Sequence, residues 1–406
     1  MSKHILVISQ YFYPEQFRIN DICQEWVKKG YKVTVVTGIP NYSEGKFYPG
    51  YGWFKKRKET WNGIDIIRLP ITARGKNKVS LAFNYLSFVV CGWFWKLFTK
   101  IKPDEVFIYE VSPMTQALVG VWLAKRRKVP CYLYVTDLWP ENFEIITGIH
   151  TKCIIGPLEK MVKAIYKKSD KIFVSSQGFV SSVQSRVDDK DKIIYWPQYA
   201  EEFYQVRTMD EVTPEHLHIR KEGKFHLLFA GNIGEAQGLS TLVQAAEILK
   251  EKNEQNVLFC IVGDGRYKQT LIKETQEKGV EDYFAFYDRQ PASEVPYLFA
   301  QVDASLICLS KSEVFALTVP AKTQSCLACG KPVLVCADGE VQNVIEEAAC
   351  GLSADAEDAK TLADNIQKLM SLSAEELAQM SKNAISYSKS HFDKQTLLAQ
   401  MDEYLQ

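Results

Sequence analysis

Residues 225–238 read FHLLFAGNIGEAQG. An apolar run, Phe225–Ala230, stops at Gly231, a second glycine follows at Gly234, and a helix-patterned stretch, Leu239–Lys250, comes next. A short buried run closed by a glycine turn and followed by a helix is the opening unit of a parallel sheet. The pattern recurs downstream as strand Val257–Val262 and helix Arg266–Lys278. Strands at Phe284–Phe286, Ala304–Cys308 and Pro332–Cys336 follow, each with a helix after it, and Ala374–Tyr404 reads as helical. Such alternation predicts a sheet covered by helices on both faces.

Upstream the same alternation appears. His4–Ser9, Lys32–Thr37, Ile64–Leu69, Glu105–Tyr109, Cys131–Val135 and Lys171–Ser175 read as strands, and Ile19–Lys29, Ser80–Lys100, Met114–Lys125 and Ile154–Lys168 as helices. Between Pro197 and Glu222 the periodicity lapses and charge rises, so a linker is expected there. The fold class is therefore α/β, with two Rossmann-like doubly wound domains facing a cleft. The expected domains are residues 1–200 and 201–385, with a C-terminal helix over 380–406 packing back on the first.

Of the 406 residues, 46% are hydrophobic and 24% charged, which excludes a disordered or collagen-like chain. The ten cysteines form no paired zinc spacing. Cys326 and Cys329 make a lone CxxC-like step inside an apolar run, read as buried thiols in a reducing compartment. The zero net charge conceals opposed halves. Residues 1–200 hold 30 Lys and Arg against 17 Asp and Glu, and the remainder holds 19 against 32. A basic half suits phospholipid or a phosphorylated substrate. No nucleic-acid-binding signature appears, and no nucleic acid partner is expected. The apolar start is too short for a signal peptide. The uncharged run Val79–Trp95 is interrupted by Ser80, Asn84, Ser87 and Gly92, so no transmembrane segment is expected.

Three features of the second half fall where strands end: the Gly231–Gly238 loop, Gly263-Asp264-Gly265-Arg266, and Leu317–Lys322 opening a helix. Glycines let the backbone approach a ligand, and free amides at a helix start suit a diphosphate, with Lys322 adding a point charge. Each feature also has a purely structural reading. Their convergence at the carboxyl ends of one sheet, where open α/β sheets bind ligands, favours a site.

The motifs GNIGEAQGL, IVGDG, EVFALT and AKTQSCLACGKPVL, in that order, resemble those of retaining family-4 glycosyltransferases of the GT-B fold. YFYPEQFRINDICQEWVKKGYKVTVVTGIPNYSEG and YVTDLWPEN resemble the bacterial O-antigen and capsule branch, several members of which transfer N-acetyl-L-fucosamine or a related aminosugar. The resemblance covers nearly the whole chain. It implies a UDP-sugar donor on the C-terminal domain, bound by Gly231, Asn232, Gly234, Leu317, Thr318 and Lys322, with Arg266 as a second cation. The turn at Tyr287–Arg289 is implied to meet the base. It implies an undecaprenyl-diphosphate-linked saccharide acceptor on the N-terminal domain, and a cytoplasmic enzyme peripheral at the inner face of the cell membrane. A UDP-sugar epimerase of the same architecture and a degenerate non-catalytic homologue are the alternatives.

The chain departs from that family at the glutamate pair. Counted back from Gly330, those positions hold Leu317 and Ser325, while Glu313 begins a similar segment four residues early. The cations of the first glycine loop are replaced by Asn232 and Gln237.

In a retaining transfer the anomeric C–O bond breaks and negative charge grows on the leaving diphosphate, so amides and a cation at that point carry the largest stabilisation. Asp188, Asp189 and Asp191 read as a solvated charge run, and no metal and no cofactor are expected. Asp137, after strand Cys131–Val135, is the candidate acceptor base, with Glu141 behind it; Asp137 as a helix cap is the alternative. Tyr13, Glu15, Arg18 and Asn41 follow the first two strands and are candidate acceptor contacts, although Glu15 and Arg18 also suit an ion pair with each other. Basic residues surround aromatics at Trp53–Lys58, and Arg74, Lys76 and Lys78 precede the apolar run. Trp93-Phe94-Trp95 leads to Lys96, Lys100 and Lys102, and Arg126-Arg127-Lys128 adds to the basic side. That footprint suits an anionic bilayer; a buried helix under a solvated basic face is the alternative.

Overall fold

A computed structural model describes residues 2–42, 45–75 and 77–405, the side chain of Ile146 aside. Lys76 lies outside the described residues. The chain divides into two compact units, Met1–Pro197 with Met401–Gln406, and Gln198–Gln400.

The first unit is built on eight strands: β1 His4–Ile8, β2 Lys32–Thr37, β3 Lys58–Trp61, β4 Ile64–Arg68, β5 Glu105–Glu110, β6 Cys131–Val135, β7 Lys171–Val174 and β8 Ile193–Tyr195. Their order is β3-β4-β2-β1-β5-β6-β7-β8, parallel except for the antiparallel β3–β4 pair. The central strands are apolar along their whole length because helices cover both faces; Ile5, Val7, Val35, Phe107 and Leu133 are fully buried. Strand β3, absent from the strands read above, pairs with β4 in a hairpin that turns through Asn62 and Gly63, whose φ angles of 48° and 79° are those a tight hairpin turn demands. Helix Lys78–Phe98 packs on helix Ala117–Arg127 along a narrow seam, where a side-chain atom on Gly92 would collide with Val119 at 2.4 Å.

The second unit has six parallel strands: β9 Phe225–Asn232, β10 Val257–Asp264, β11 Phe284–Tyr287, β12 Ala304–Cys308, β13 Val333–Cys336 and β14 Gly351–Ala354, ordered β11-β10-β9-β12-β13-β14. β9 and β10 stay paired out to Gly231↔Gly263 and Asn232↔Asp264. At that level a Cβ on Gly263 would stand 1.9 Å from the Gly231 carbonyl oxygen, and one on Gly265 would stand 2.1 Å from that of Ile233. The Gly263-Asp264-Gly265 turn is therefore glycine-rich because backbone packs on backbone.

The return of the C-terminus starts later than 380. Helix Ala374–His391 stays with the second unit: a side-chain atom on Gly330 would meet Ile385 at 2.8 Å, and Asn383 Nδ2 donates to the Ala349 carbonyl at 2.9 Å. Only the end of helix Lys394–Tyr404 joins the first unit. There the Lys3 ammonium donates to the Leu405 carbonyl, and Tyr404 lies edge-on to Phe173 with ring centroids 5.5 Å apart.

Candidate functional site

In the second unit the carboxyl end of β9 and helix Ala321–Ala328 meet. Pro320 caps that helix in an extended conformation, its φ of −61° compatible with the ring; the amides of Ala321 and Lys322 stand at the helix start, while that of Thr323 donates to the Pro320 carbonyl at 2.8 Å. Lys322, in the first turn, points toward the sheet. Its Nζ lies 3.8 Å from the centroid of the Phe229 ring and donates to Gln237 Oε1 at 2.9 Å. A Cβ on Gly231 would sit 3.5 Å from the same Nζ. Burial pulls this ammonium down to about 8. Gln237, which stands where the resemblance implies a cation, is thus the acceptor that aims Lys322 at the glycine loop.

The other donor candidates are spread around this point. Asn232 is exposed, Gly231 and Gly234 half-buried. Leu317 and Thr318 follow the short helix Glu313–Ala316, and the Thr318 hydroxyl donates back to the Val314 carbonyl at 2.9 Å. Ser325, at the second family glutamate position, is buried inside its helix, and Glu313 is exposed. Arg266 and Arg289 are exposed beyond β10 and β11, and no contact among the described residues ties either to Lys322.

In the first unit the loops after β1, β2, β4, β5 and β6 converge at one edge of the sheet. Several acceptor candidates make contacts within the unit. Glu15 is buried, and its Oε1 accepts the backbone amides of Asn41 at 2.6 Å and Tyr42 at 2.5 Å, which joins the first two loops; burial nevertheless raises its carboxyl to about 7. Asn41 is fully buried, its amide donating to the Ile39 carbonyl and accepting from the Arg74 amide at 2.8 Å. Tyr13 stacks on Trp61, centroids 4.3 Å apart. Arg18 is buried at the start of helix Arg18–Lys28, within electrostatic reach of Tyr134. Glu141 accepts from Arg186 Nη2 at 2.7 Å, so it braces a helix pair. Glu15, Asn41, Tyr13 and Glu141 thus each bind another part of the first unit.

Asp137 occupies a different setting. Its Oδ2 accepts the Ser112 amide at 2.7 Å, which binds the loop after β6 to the loop after β5, and burial raises its carboxyl. Beside it Glu110, the last residue of β5, is fully buried; burial, and then the neighbouring Asp137, push its carboxyl well above the usual range. Arg74, read from sequence as part of a basic surface, belongs here. Its guanidinium lies 4.9 Å from the Tyr42 ring centroid and donates to the Tyr11 hydroxyl at 3.2 Å. The Tyr85 phenol, raised by burial, is within electrostatic reach of Arg74, Asp137 and Tyr42. Arg74, Tyr42, Tyr85 and Asp137 form a cationic, aromatic and acidic cluster of the kind that grips a phosphorylated sugar. Arg74 had a sequence signal: it follows the strand Ile64–Leu69, as Tyr11 and Asn41 follow theirs.

Among the described residues no three His, Cys, Asp or Glu side chains gather at metal-ligand spacing, and all ten cysteines are free thiols.

Residues 215–387, most of the second unit, match the family model described as Glycosyl transferases group 1. The chain is similar to the probable glycosyltransferase WbjE of Pseudomonas aeruginosa, 24% identical over 304 residues that cover 73% of this chain and 74% of that one. It is also similar to the putative colanic acid biosynthesis glycosyl transferase WcaI of Escherichia coli strain K12, 24% identical over 77% of both chains. Among solved structures it superposes on sucrose-phosphate synthase from Thermosynechococcus elongatus with a TM-score of 0.78 at 15% identity, covering 99% of this chain and 98% of that one. Anabaena Alr3699/HepE, solved in complex with UDP and glucose, gives a TM-score of 0.70 at 15% identity, covering 100% and 99%. The fold is GT-B, as the two parallel-sheet α/β units require.

Proposed function

We propose that this chain is a retaining glycosyltransferase of surface-polysaccharide assembly. It moves a sugar, an aminosugar such as N-acetyl-L-fucosamine, from a UDP-sugar to an undecaprenyl-diphosphate-linked oligosaccharide on the cytoplasmic side of the cell membrane. The observation that carries this reading is the aim of Lys322 at the Gly231 loop, from the first turn of a helix that starts beside it.

The donor diphosphate lies against Gly231 and the amides after Pro320, and the Lys322 ammonium takes up the charge that grows as the anomeric C–O bond breaks. Its lowered proton affinity means that it is incompletely solvated before the diphosphate arrives, and the anion restores full charge. The cation is a side chain, which makes the transfer independent of a divalent metal. In the first unit Arg74 holds the acceptor's phosphate or sugar. Asp137 orients the attacking hydroxyl and receives its proton, and burial, by raising its proton affinity, favours that acceptance. The new bond joins acceptor oxygen to the anomeric carbon, the old bond to the diphosphate oxygen breaks, and configuration is kept.

The test is direct. Purified enzyme is given a panel of UDP-sugars and a soluble lipid-diphosphate disaccharide, and the product's anomeric configuration is read by NMR. An unchanged configuration with a UDP-aminosugar supports the reading. Inversion, or transfer only from a different nucleotide sugar, overturns it.

A further inference from the structure

Three buried amide side chains join the loops at the carboxyl edge of the first sheet, and none of them takes part in the chemistry of transfer. Gln10 follows β1, Asn84 lies in helix Lys78–Phe98, and Gln116 stands just before helix Ala117–Arg127; they are 1%, 0% and 0% exposed. Gln116 Oε1 accepts the Gln10 backbone amide at 2.6 Å, and its Nε2 donates to the carbonyl of Val111, the neighbour of Ser112, whose amide Asp137 binds. Gln10 Nε2 donates to Asn84 Oδ1 at 2.8 Å, and Asn84 Nδ2 donates to the Thr72 carbonyl at 2.6 Å. Asn41 Oδ1, which accepts the Arg74 amide at 2.8 Å, lies 3.4 Å from the same Nδ2. A path of hydrogen bonds and adjoining residues thus runs from the Asp137 carboxyl to the backbone of Arg74, through the loops after β6, β5, β1, β4 and β2, all within one unit.

The backbone groups along this path fix the direction of its side-chain bonds. A carbonyl only accepts and a backbone amide only donates, so Val111 and the Gln10 amide set which end of Gln116 faces which, and Thr72 does the same for Asn84. Asn84 then presents its oxygen to Gln10, which turns Gln10 Nε2 toward it and leaves Gln10 Oε1 buried with no partner among the described residues. A network with one oxygen unserved is a poor source of stability, since apolar side chains of the same shape would fill the space without that desolvation cost. What it supplies is spacing: Gln116 makes both its bonds only when the loops after β1 and β5 stand at one separation.

We propose that Gln116 is a positioning residue for the transfer: through Gln10 and Asn84 it sets the Arg74 loop at a fixed distance from the Asp137 loop. Being fully buried, it reaches neither donor nor acceptor and acts through the loops it joins. The inference rests on the reading of Arg74 as an acceptor contact and of Asp137 as the base. An acceptor held at one loop, with its attacking hydroxyl oriented at another, needs the two loops to keep their spacing, because a misplacement of about 1 Å costs on the order of a hundredfold in rate.

The test is steady-state kinetics of the full chain with a UDP-sugar and a soluble lipid-diphosphate acceptor. Gln116→Met is expected to raise the acceptor KM and lower kcat, each by about tenfold, while UDP affinity by calorimetry stays within about twofold. Gln10→Met, which cuts the path at Asn84 and removes the unpartnered oxygen, should act in the same direction with the melting temperature kept, and it keeps the test decisive if the Gln116 variant misfolds. Added to Arg74→Gln, Gln116→Met should raise the acceptor KM no further, since it acts through Arg74. Gln116→Glu, whose neutral carboxyl both accepts and donates, should return both constants to within about threefold of wild type in mildly acidic buffer. Folded Met variants with both constants unchanged, an additive rise in KM, or a Glu variant as impaired as the Met variant would each overturn the proposal. Hydrogen exchange at the Arg74 amide, followed without substrate, separates this inference from the reading beneath it. Gln116→Met, or Gln10→Met in its place, should speed that exchange about tenfold or more. Unchanged exchange overturns the linkage, even where wild type transfers no sugar and the reading itself has failed.

Discussion

The ammonium of Lys322 rests 3.8 Å from the centroid of the Phe229 ring, so a cation from a helix start is set on the aromatic end of a central strand. Among the described residues its close contacts are one acceptor, Gln237, and one π face, and burial depresses its proton affinity. A buried cation so lightly served is a stability cost that only an anion relieves.

The first prediction follows from that cost. A folded-state value of about 8 lies below the ordinary lysine value, so the stability linked to this group is present above the unfolded value and lost as pH falls through about 8. Without ligand, Lys322→Met should melt higher than wild type at pH 7, and the gap should close by pH 10. UDP affinity should move the other way, about 10–100-fold weaker in the variant, as for a lost charge-assisted hydrogen bond. Wild-type affinity should fall as pH rises through about 8, and calorimetry in buffers of differing ionisation enthalpy should register proton uptake on binding. A variant that binds UDP as well as wild type would remove Lys322 from the donor site.

Asp137→Asn should leave UDP affinity within about twofold and lower kcat by about 10²–10⁴, the range of a lost general base. Loss of both together would instead mean that Asp137 is needed to hold the loop through Ser112.

Arg74→Gln should act on the acceptor. Its KM is expected to rise about tenfold while the donor KM and the melting temperature hardly change, because Asn41 is bound by the Arg74 backbone amide and that bond survives. Steady-state kinetics with varied acceptor decides it.

Glu110 offers a prediction about stability. Burial raises its carboxyl well above the usual range, so its contribution is present below the unfolded value and lost as pH rises through the folded one. Glu110→Gln keeps the shape of the neutral acid. It should match wild type in mildly acidic buffer and melt progressively higher than wild type as the buffer is made alkaline. Parallel melting curves across pH would show that the acid is ionised throughout.

Gly263→Ala should cost about 1–3 kcal/mol, as for overpacking, since the new methyl would fall 1.9 Å from the Gly231 carbonyl oxygen. Urea unfolding of the variant measures it, and a neutral result would mean that β9 and β10 part easily at this level.

The strand–helix alternation was legible because apolar runs such as Val257–Val262 have no other stable use in a chain of this composition. The convergence of Gly231 and Lys322 followed from topology, which gathers the carboxyl ends of parallel strands. What escaped was partnership. Nothing in the spacing of Glu15 reveals that two amides of the next loop occupy it, and nothing in Arg74 distinguishes it from the lysines around it. Gln237 read as a missing charge, although a neutral acceptor is what a buried ammonium needs. The β3–β4 hairpin was within reach, since Asn62-Gly63 is a strong turn signal; the lysines before it diverted attention to the surface. Long-range hydrogen bonds decide such roles, and they depend on which loops meet.

The contact between Lys3 and Leu405 lies at the edge where β1 begins. In a parallel sheet that edge is remote from the one where Ser112 and Asp137 sit. An affinity tag or fluorescent protein appended to either end would therefore emerge on the blind side of this unit. Trimming the last six residues, by contrast, would uncover the ring of Phe173 and cut one of the two covalent links between the units.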